Sequence, residues 1–283
     1  MPIKESFILT ILDEVFAAES GCIIAAPPKD DEAAIMGTAV DASFFAPVYV
    51  AGTTTSTFDL AWELARYYNV PAWSGILAAR QTNGRGQLQR EWISPLGNLY
   101  VSFFLPEGFA RLKDMASLAV GYCIHAALHD MGVITSLKWP NDLLLCDAEQ
   151  PRGKLAGLLL EERGGRLLAG LGLNCRIAPE KDRLRGNATV PAAALSAFDM
   201  PLSLFWGNMV TRMQDISARW IENAPLVIVQ QQIETCLAWK GEQVLSNDTG
   251  AIGTLIGIDS NATLLLETKT GLIAVSSGSI SPV

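Results

Sequence analysis

The chain has 283 residues, 49% of them hydrophobic and 18% charged, with a formal net charge of −8. That composition can fill a core for one or two domains, and it excludes a disordered chain and the basic footprint of most nucleic-acid binders. Mean hydropathy is +0.25, yet no run of about 18 apolar residues is present to span a membrane. The apolar stretch 7–12 is closed by Asp13 and Glu14 before it reaches signal-peptide length, so the expected location is cytoplasmic.

In chain order, Phe7, Ile8, Ile11, Leu12, Val15 and Phe16 recur at helical spacing and predict a helix over 5–19. Pro27 and Pro28 end whatever follows it. Residues 1–46 read as an N-terminal extension. Lys4 and Lys29 are its only basic residues, and a winged helix-turn-helix would need ~60 residues and more basic surface. A strand is expected at 48–50. Ser56 and Asp59 have the spacing of a capping box opening a helix that runs to Tyr68. Residues 76–79 and 99–105 read as strands, and 115–131 as a long helix ended by Gly132. Short strands follow at 143–145, 155–160 and 167–173, then an amphipathic helix over 203–223.

Past Trp239-Lys240-Gly241 the pattern changes to short strands around Val244, Ile252, 255–256, 264–266 and 273–275, with hairpin signals between them. Strands and helices alternate without strict βαβ order, so the expected class is α+β: a mixed β-sheet with packed helices over 47–234 and a small all-β module over 235–283. The five cysteines, Cys22, Cys123, Cys146, Cys175 and Cys236, are far apart and odd in number, which argues for reduced thiols.

Four clusters carry chemistry. The first, residues 81–92 (QTNGRGQLQREW), sets glycines that admit close backbone approach beside arginines suited to phosphate or carboxylate and a tryptophan that offers a stacking face. It is neither a Rossmann fingerprint nor a P-loop, and alone it could be a solvated loop. The second is Lys138-Trp139-Pro140-Asn141-Asp142, a lysine flanked by stiff residues and suited to neutralising a phosphate; its plain alternative is an exposed loop lysine. The third is Lys154-Leu155-Ala156-Gly157, running to Glu161. The fourth is Gly170-Leu171-Gly172-Leu173-Asn174, whose asparagine could bond a base edge or simply sit in a turn.

Together these clusters resemble the biotin protein ligase family. GRGQLQREW matches its GRGxxGRxW loop, and residues 94–102 (SPLGNLYVS) match SPxGNLYxS. KWPND is intact at 138–142, KxxGxLxE matches 154–161, GxGxN matches 170–174, and Ser56-Thr57-Phe58 stands where the family has Ser-Thr-Asn. The resemblance spans roughly residues 47–283 and implies a biotin/lipoyl-ligase-like fold with a C-terminal SH3-like β-barrel. It implies an enzyme that makes biotinyl-AMP from biotin, ATP and Mg²⁺, then biotinylates a lysine of a biotin carboxyl carrier protein or carboxylase subunit. It assigns Ser56, Thr57, Gln81, Gly84, Arg85, Gly86, Gln87, Lys138 and Gly157 to biotin, and Arg90, Trp92, Lys138 and Asn174 to ATP. Lys138, Arg85 and Arg90 are the expected catalytic cations.

The chain departs from the family at Phe58, Gln87 and Gln89, which bears on biotin affinity and loop closure. These departures motivate one rival reading, a non-catalytic sensor of biotin or its adenylate. A second rival is a lipoate-type acyl ligase, whose RxxGGGxVxH-type loop the sequence lacks. A third, a ligase–repressor, is disfavoured by the acidic N-terminal segment, so no specific DNA binding is expected. His125 and His129 are spaced i, i+4, but no third ligand accompanies them, so no metal site is expected. No membrane partner is expected. Homodimerisation stays open, since some relatives of the family dimerise through the central sheet and others do not.

Overall fold

The computed structural model describes residues 22–24, 46–87, 90–147, 150–179, 190–195 and 198–283. The helix expected over 5–19, Pro27, Pro28 and Gln89 lie outside them. The chain divides into two compact units, one of residues 1–107, 158–177 and 194–214, the other of 108–157, 178–193 and 215–283.

The first unit is built on a mixed sheet of β1 (Cys22–Ile24), β2 (Val48–Thr54), β3 (Gly75–Gln81), β4 (Leu99–Phe104) and β8 (Arg166–Leu173). The first three run parallel, and β4 is antiparallel to both β3 and β8. The strands are nearly continuous apolar runs because both faces are covered. On one face lies α1 (Thr57–Tyr67). Its Phe58, Leu60, Ala61, Trp62 and Leu64 form a core with Tyr49, Ala51, Ile76, Phe104 and Leu168. On the other face, Phe103 sits 5.0 Å from Trp206 and 6.0 Å from Trp73, centroid to centroid. Trp206 lies so close to Gly75 that a Cβ there would stand 2.1 Å from its indole nitrogen. Trp206 belongs to α3 (Leu202–Trp220), which buries Leu202, Phe205, Trp206, Met209, Val210 and Met213 along one stripe.

Ser56 caps α1 as its spacing predicts, accepting from Phe58 N at 3.3 Å. The reciprocal half of the capping box is not formed. Asp59 turns outward, accepting from Thr55 Oγ1 at 3.2 Å and from Arg85.

In the second unit a 3₁₀ segment (Glu107–Met115) leads into α2 (Ala116–Asp130). Arg111 pins it by donating to the carbonyls of Glu222 (3.1 Å), Ala224 (2.7 Å) and Ile221. Apolar on most of its surface, α2 ends in a Schellman motif. Gly132 at φ +81° directs its own N–H to His129 O and that of Val133 to Leu128 O, both at 2.9 Å. Next come β5 (Thr135–Lys138), β6 (Asp142–Asp147) and the first half of β7 (Gln150–Arg163), successively antiparallel. β7 is 14 residues long, longer than the short strand predicted at 155–160. After α4 (Leu226–Thr235) comes a five-stranded antiparallel sheet of β9 (Gln243–Ser246), β10 (Ile252–Ile258), β11 (Leu264–Thr268), β12 (Gly271–Val275) and β13 (Ile280–Pro282). Its order runs β12-β11-β10-β9-β13, an open order among the described residues rather than the closed barrel expected. No helix among the described residues is long and apolar enough to cross a membrane.

Candidate active site

The residues singled out from the sequence fall into two groups, one in each unit. In the first unit the start of α1 and the end of β3 bring Ser56, Thr57 and Gln81 together. Thr57 donates to Gln81 Oε1 from its backbone N at 2.9 Å and from Oγ1 at 3.2 Å. Its Oγ1 also lies 2.7 Å from Ser102 Oγ, in the buried floor of β4. Gln81 Nε2 in turn donates to Ser94 Oγ at 3.3 Å. These bonds fix both ends of the Gln81 amide, so a polar ligand would meet a preformed set of hydroxyl and amide groups.

The glycine-rich loop is a hairpin. Trp92 N donates to Gly84 O at 2.9 Å, Gly86 N to Arg90 O at 2.7 Å, and Arg85 bridges Glu91. Gly84 must be glycine, because a Cβ would stand 2.5 Å from Trp92 O. Arg85 Nη2 donates to Asp59 Oδ1 at 2.8 Å and lies 3.8 Å from Glu161 Oε1. Its guanidinium sits over the Phe58 ring, 5.4 Å from the centroid. Gln87 is half-buried and Arg90 exposed on the same loop.

Gly170 and Gly172 share one face of β8. A Cβ on Gly170 would stand 2.2 Å from the Phe58 ring, and one on Gly172 would stand 2.3 Å from the Trp92 indole. The Gly-x-Gly spacing therefore gives two aromatic rings direct contact with the sheet backbone. Asn174, at the end of that strand, is buried and accepts from Asn98 Nδ2 at 3.3 Å. Asn98 Nδ2 also donates to Ile177 O at 2.7 Å, while its Oδ1 accepts from the backbone N of Arg176 and of Ile177, each at 3.0 Å. A buried Asn98 thus fixes the Asn174 amide.

In the second unit Lys138 ends β5 and is 5% exposed, a buried ammonium rather than an exposed loop lysine. Its Nζ is 3.3 Å from Asp142 Oδ2, and Lys154 Nζ is 2.6 Å from Asp142 Oδ1. Burial by itself would raise the Asp142 pKa, but the two ammonium groups outweigh it and hold the carboxyl below its ordinary range. Gly157 pairs with Asp142 in the β6–β7 register. Lys154 is fixed through its backbone, which exchanges bonds with Pro191 O (2.7 Å) and Ala193 N (2.9 Å).

Sequence reasoning singled out Lys138 but gave no site role to Asp142, Asp59, Ser102 or Asn98. Asp142 was legible as the last letter of KWPND, since i, i+4 across a three-residue turn returns it to Lys138. Asn98 was legible as a fixed letter of SPxGNLYxS, though its partner Asn174 lies 76 residues away, whereas nothing local tied Asp59 to Arg85, 26 residues on. Among the described residues no group of three His, Cys, Asp or Glu side chains could hold a metal. His125 sits with Nδ1 2.9 Å from Thr135 Oγ1. Burial and the neighbouring His129 push its pKa down to about 4, which keeps the ring neutral at pH 7.

Residues 50–177 match the model of the biotin/lipoate A/B protein ligase family. The biotin–[acetyl-CoA-carboxylase] ligase of Paracoccus denitrificans is 34% identical over 50% of this chain and 59% of its own length, so the match spans less than two thirds of that relative. The bifunctional ligase/repressor BirA of Bacillus subtilis is 28% identical over 80% of this chain and 71% of its own. The structure of the Aquifex aeolicus biotin protein ligase in complex with biotin and ATP superposes with a TM-score of 0.64 at 26% identity, covering 83% of this chain and 97% of that one. The fold and the motif set thus agree with these relatives in being similar to biotin protein ligases.

Proposed function

We propose that this chain is an ATP-dependent biotin protein ligase, and the observation that carries the reading is the buried Lys138 held by Asp142 at the end of β5. A lysine withdrawn from water and oriented by a carboxylate is arranged for an anionic partner. In the first step a carboxylate oxygen of biotin attacks the α-phosphorus of ATP. The bond to the bridging oxygen breaks, pyrophosphate leaves with its electron pair, and biotinyl-5′-AMP forms. Two anions must meet, so fixed cations supply most of the acceleration.

Lys138, Arg85 and Arg90 are the proposed cations. Ser56, Thr57, Gln81, Gly84, Gly86, Gln87 and Gly157 are proposed to line the biotin site, with Trp92 and Asn174 on the adenine. Mg²⁺ enters with the nucleotide as MgATP. In the second step the neutral amine of a lysine on a biotin carboxyl carrier domain attacks the acyl carbon. AMP leaves and the amine proton passes to a base.

The proposed domains are a catalytic one over 47–234 and an SH3-like module over 235–283, supported by the five-stranded antiparallel sheet of the latter. The proposed location is the cytoplasm, where carboxylase acceptors would be met. No sequence-specific DNA binding is proposed, because Lys4 and Lys29 are the only cations of residues 1–46.

Intact-mass analysis of a carrier domain incubated with this protein, biotin, ATP and Mg²⁺ tests the reading. One biotin-sized mass increase, lost in Lys138→Ala, is expected. Biotin binding without any increase would favour the sensor, and an increase only with lipoate or octanoate would favour the lipoate-type ligase.

A further inference from the structure

Arg85 makes its charged contacts at one corner of its guanidinium. Nη2 donates to Asp59 Oδ1 at 2.8 Å, while Glu161 Oε1, at 3.8 Å, is too far for a hydrogen bond. Glu161 is otherwise engaged: its Oε2 accepts from Trp62 Nε1 and from Arg163 Nη2, each at 3.0 Å. Asp59 is itself braced, its Oδ2 accepting from Thr55 Oγ1 at 3.2 Å. Beneath the guanidinium the Phe58 ring provides a flat shelf, fixed in turn by its seat on the Gly170 backbone. Arg85 Nε is buried with no hydrogen-bond acceptor among the described residues. A buried N–H of a charged group without a partner is costly unless something arrives to take it.

We propose that Asp59 is a positioning residue for the carboxylate of the acyl substrate, holding Arg85 by Nη2 on the Phe58 shelf so that its Nε–H stays directed at the incoming anion. This deepens the proposed ligase function and rests on it. The Arg85–Asp59 pair is partly exposed, with side chains 31% and 46% accessible. It is therefore weak as a stabiliser and does not outcompete a desolvated ligand carboxylate. Its effect is on geometry: the Arg85 side chain has several rotatable bonds, and fixing one corner of a planar fork fixes the direction of the rest. Two adjacent residues of α1 divide the task, Phe58 setting the plane of the guanidinium and Asp59 its rotation within that plane. At Phe58, where the chain departs from the family's asparagine, a ring now supports a loop arginine.

The test compares biotin with its carboxamide, which keeps the head group and chain but carries no anion. Binding of each is measured by calorimetry in the wild type, Asp59→Ala and Phe58→Leu, together with KM and kcat for pyrophosphate release. Asp59→Ala is expected to weaken biotin binding and raise its KM roughly tenfold, with kcat changed much less and carboxamide binding unchanged. Phe58→Leu keeps the core filled and removes the shelf; a smaller, equally carboxylate-selective loss is expected. Equal losses for both ligands would show that Asp59 only supports the start of α1 and would overturn the proposal, as would unchanged biotin binding. If the wild type itself fails to bind biotin, the ligase reading fails and this inference falls with it.

Discussion

Lys138, Asp142 and Lys154 form a triad with one carboxylate between a buried and a partly exposed ammonium group, and the consequences of breaking it differ at each position. Lys138→Ala leaves Asp142 still paired to Lys154 at 2.6 Å, so the fold is expected to survive. Pyrophosphate release from biotin and ATP should nevertheless fall by a hundredfold or more, the loss of about 3 kcal/mol that follows removal of one preorganised donor. Circular dichroism beside the kinetic assay checks both halves. Asp142→Asn instead takes the carboxylate away from the buried Lys138 ammonium and should cost about 3 kcal/mol of stability at neutral pH. The pH dependence has a definite sign. The folded pKa of Asp142 is depressed below its ordinary value, so its stabilising effect is fully present above the unfolded pKa of about 3.9 and is lost as pH falls through the lower folded value. Denaturant unfolding across pH 3–7 should show the wild type and Asp142→Asn furthest apart at pH 7 and converging below about pH 4. A gap that stays constant with pH would mean that the carboxylate charge contributes nothing.

The elements readable from the sequence were those whose periodicity or punctuation is local. The 115–131 helix ends where Gly132 directs it, and that glycine is in the left-handed region with open space around it. Gly132→Ala therefore meets no clash and should cost only its conformational strain, about 1 kcal/mol by thermal or chemical denaturation; a loss several times larger would point to a packing role instead. The elements not anticipated lacked such signals. The 3₁₀ segment Glu107–Met115 is held by Arg111 reaching carbonyls more than 100 residues away, and α4, starting behind Pro225, buries only Val229 and Ile233. β5 is four residues long, too short for a clear period-2 pattern. Among the motif residues, Gly84, Gly170 and Gly172 each answer a close approach that excludes a Cβ. What they could not give were the pairings, such as Asn98 with Asn174 or Asp59 with Arg85, since these exist only once β4 lies against β8 and the loop hairpin against α1.

At the scale of the molecule, the change of pattern near residue 235 suggests a β module appended to a finished catalytic domain, but hydrogen bonds of the second unit cross that boundary. Leu137 N donates to Cys236 O at 2.7 Å, Ala238 N to Leu137 O at 3.0 Å, and Trp139 Nε1 to Ala262 O at 2.8 Å. These three bonds hold the residues on either side of Lys138. α4 is bonded to the same sheet, with Glu234 Oε1 accepting from Ile258 N at 3.1 Å and Gln230 Nε2 donating to Ile258 O at 2.7 Å. A chain ending at residue 234 would leave the buried backbone of Leu137 and the buried indole of Trp139 without these partners, each costing about 1–3 kcal/mol, and would free the segment that carries the buried ammonium. Adenylate formation, not only transfer to the carrier, should therefore fall by at least a hundredfold in the truncated chain, read as pyrophosphate release in the absence of any acceptor. Trp139→Phe separates the causes, since it removes one donor and keeps the ring; it should lower stability by about 1–2 kcal/mol and leave pyrophosphate release within a few-fold of wild type. If the truncated chain still makes the adenylate at the full rate and fails only at transfer, the module serves the acceptor protein alone and the bonds across residue 235 are structural trim.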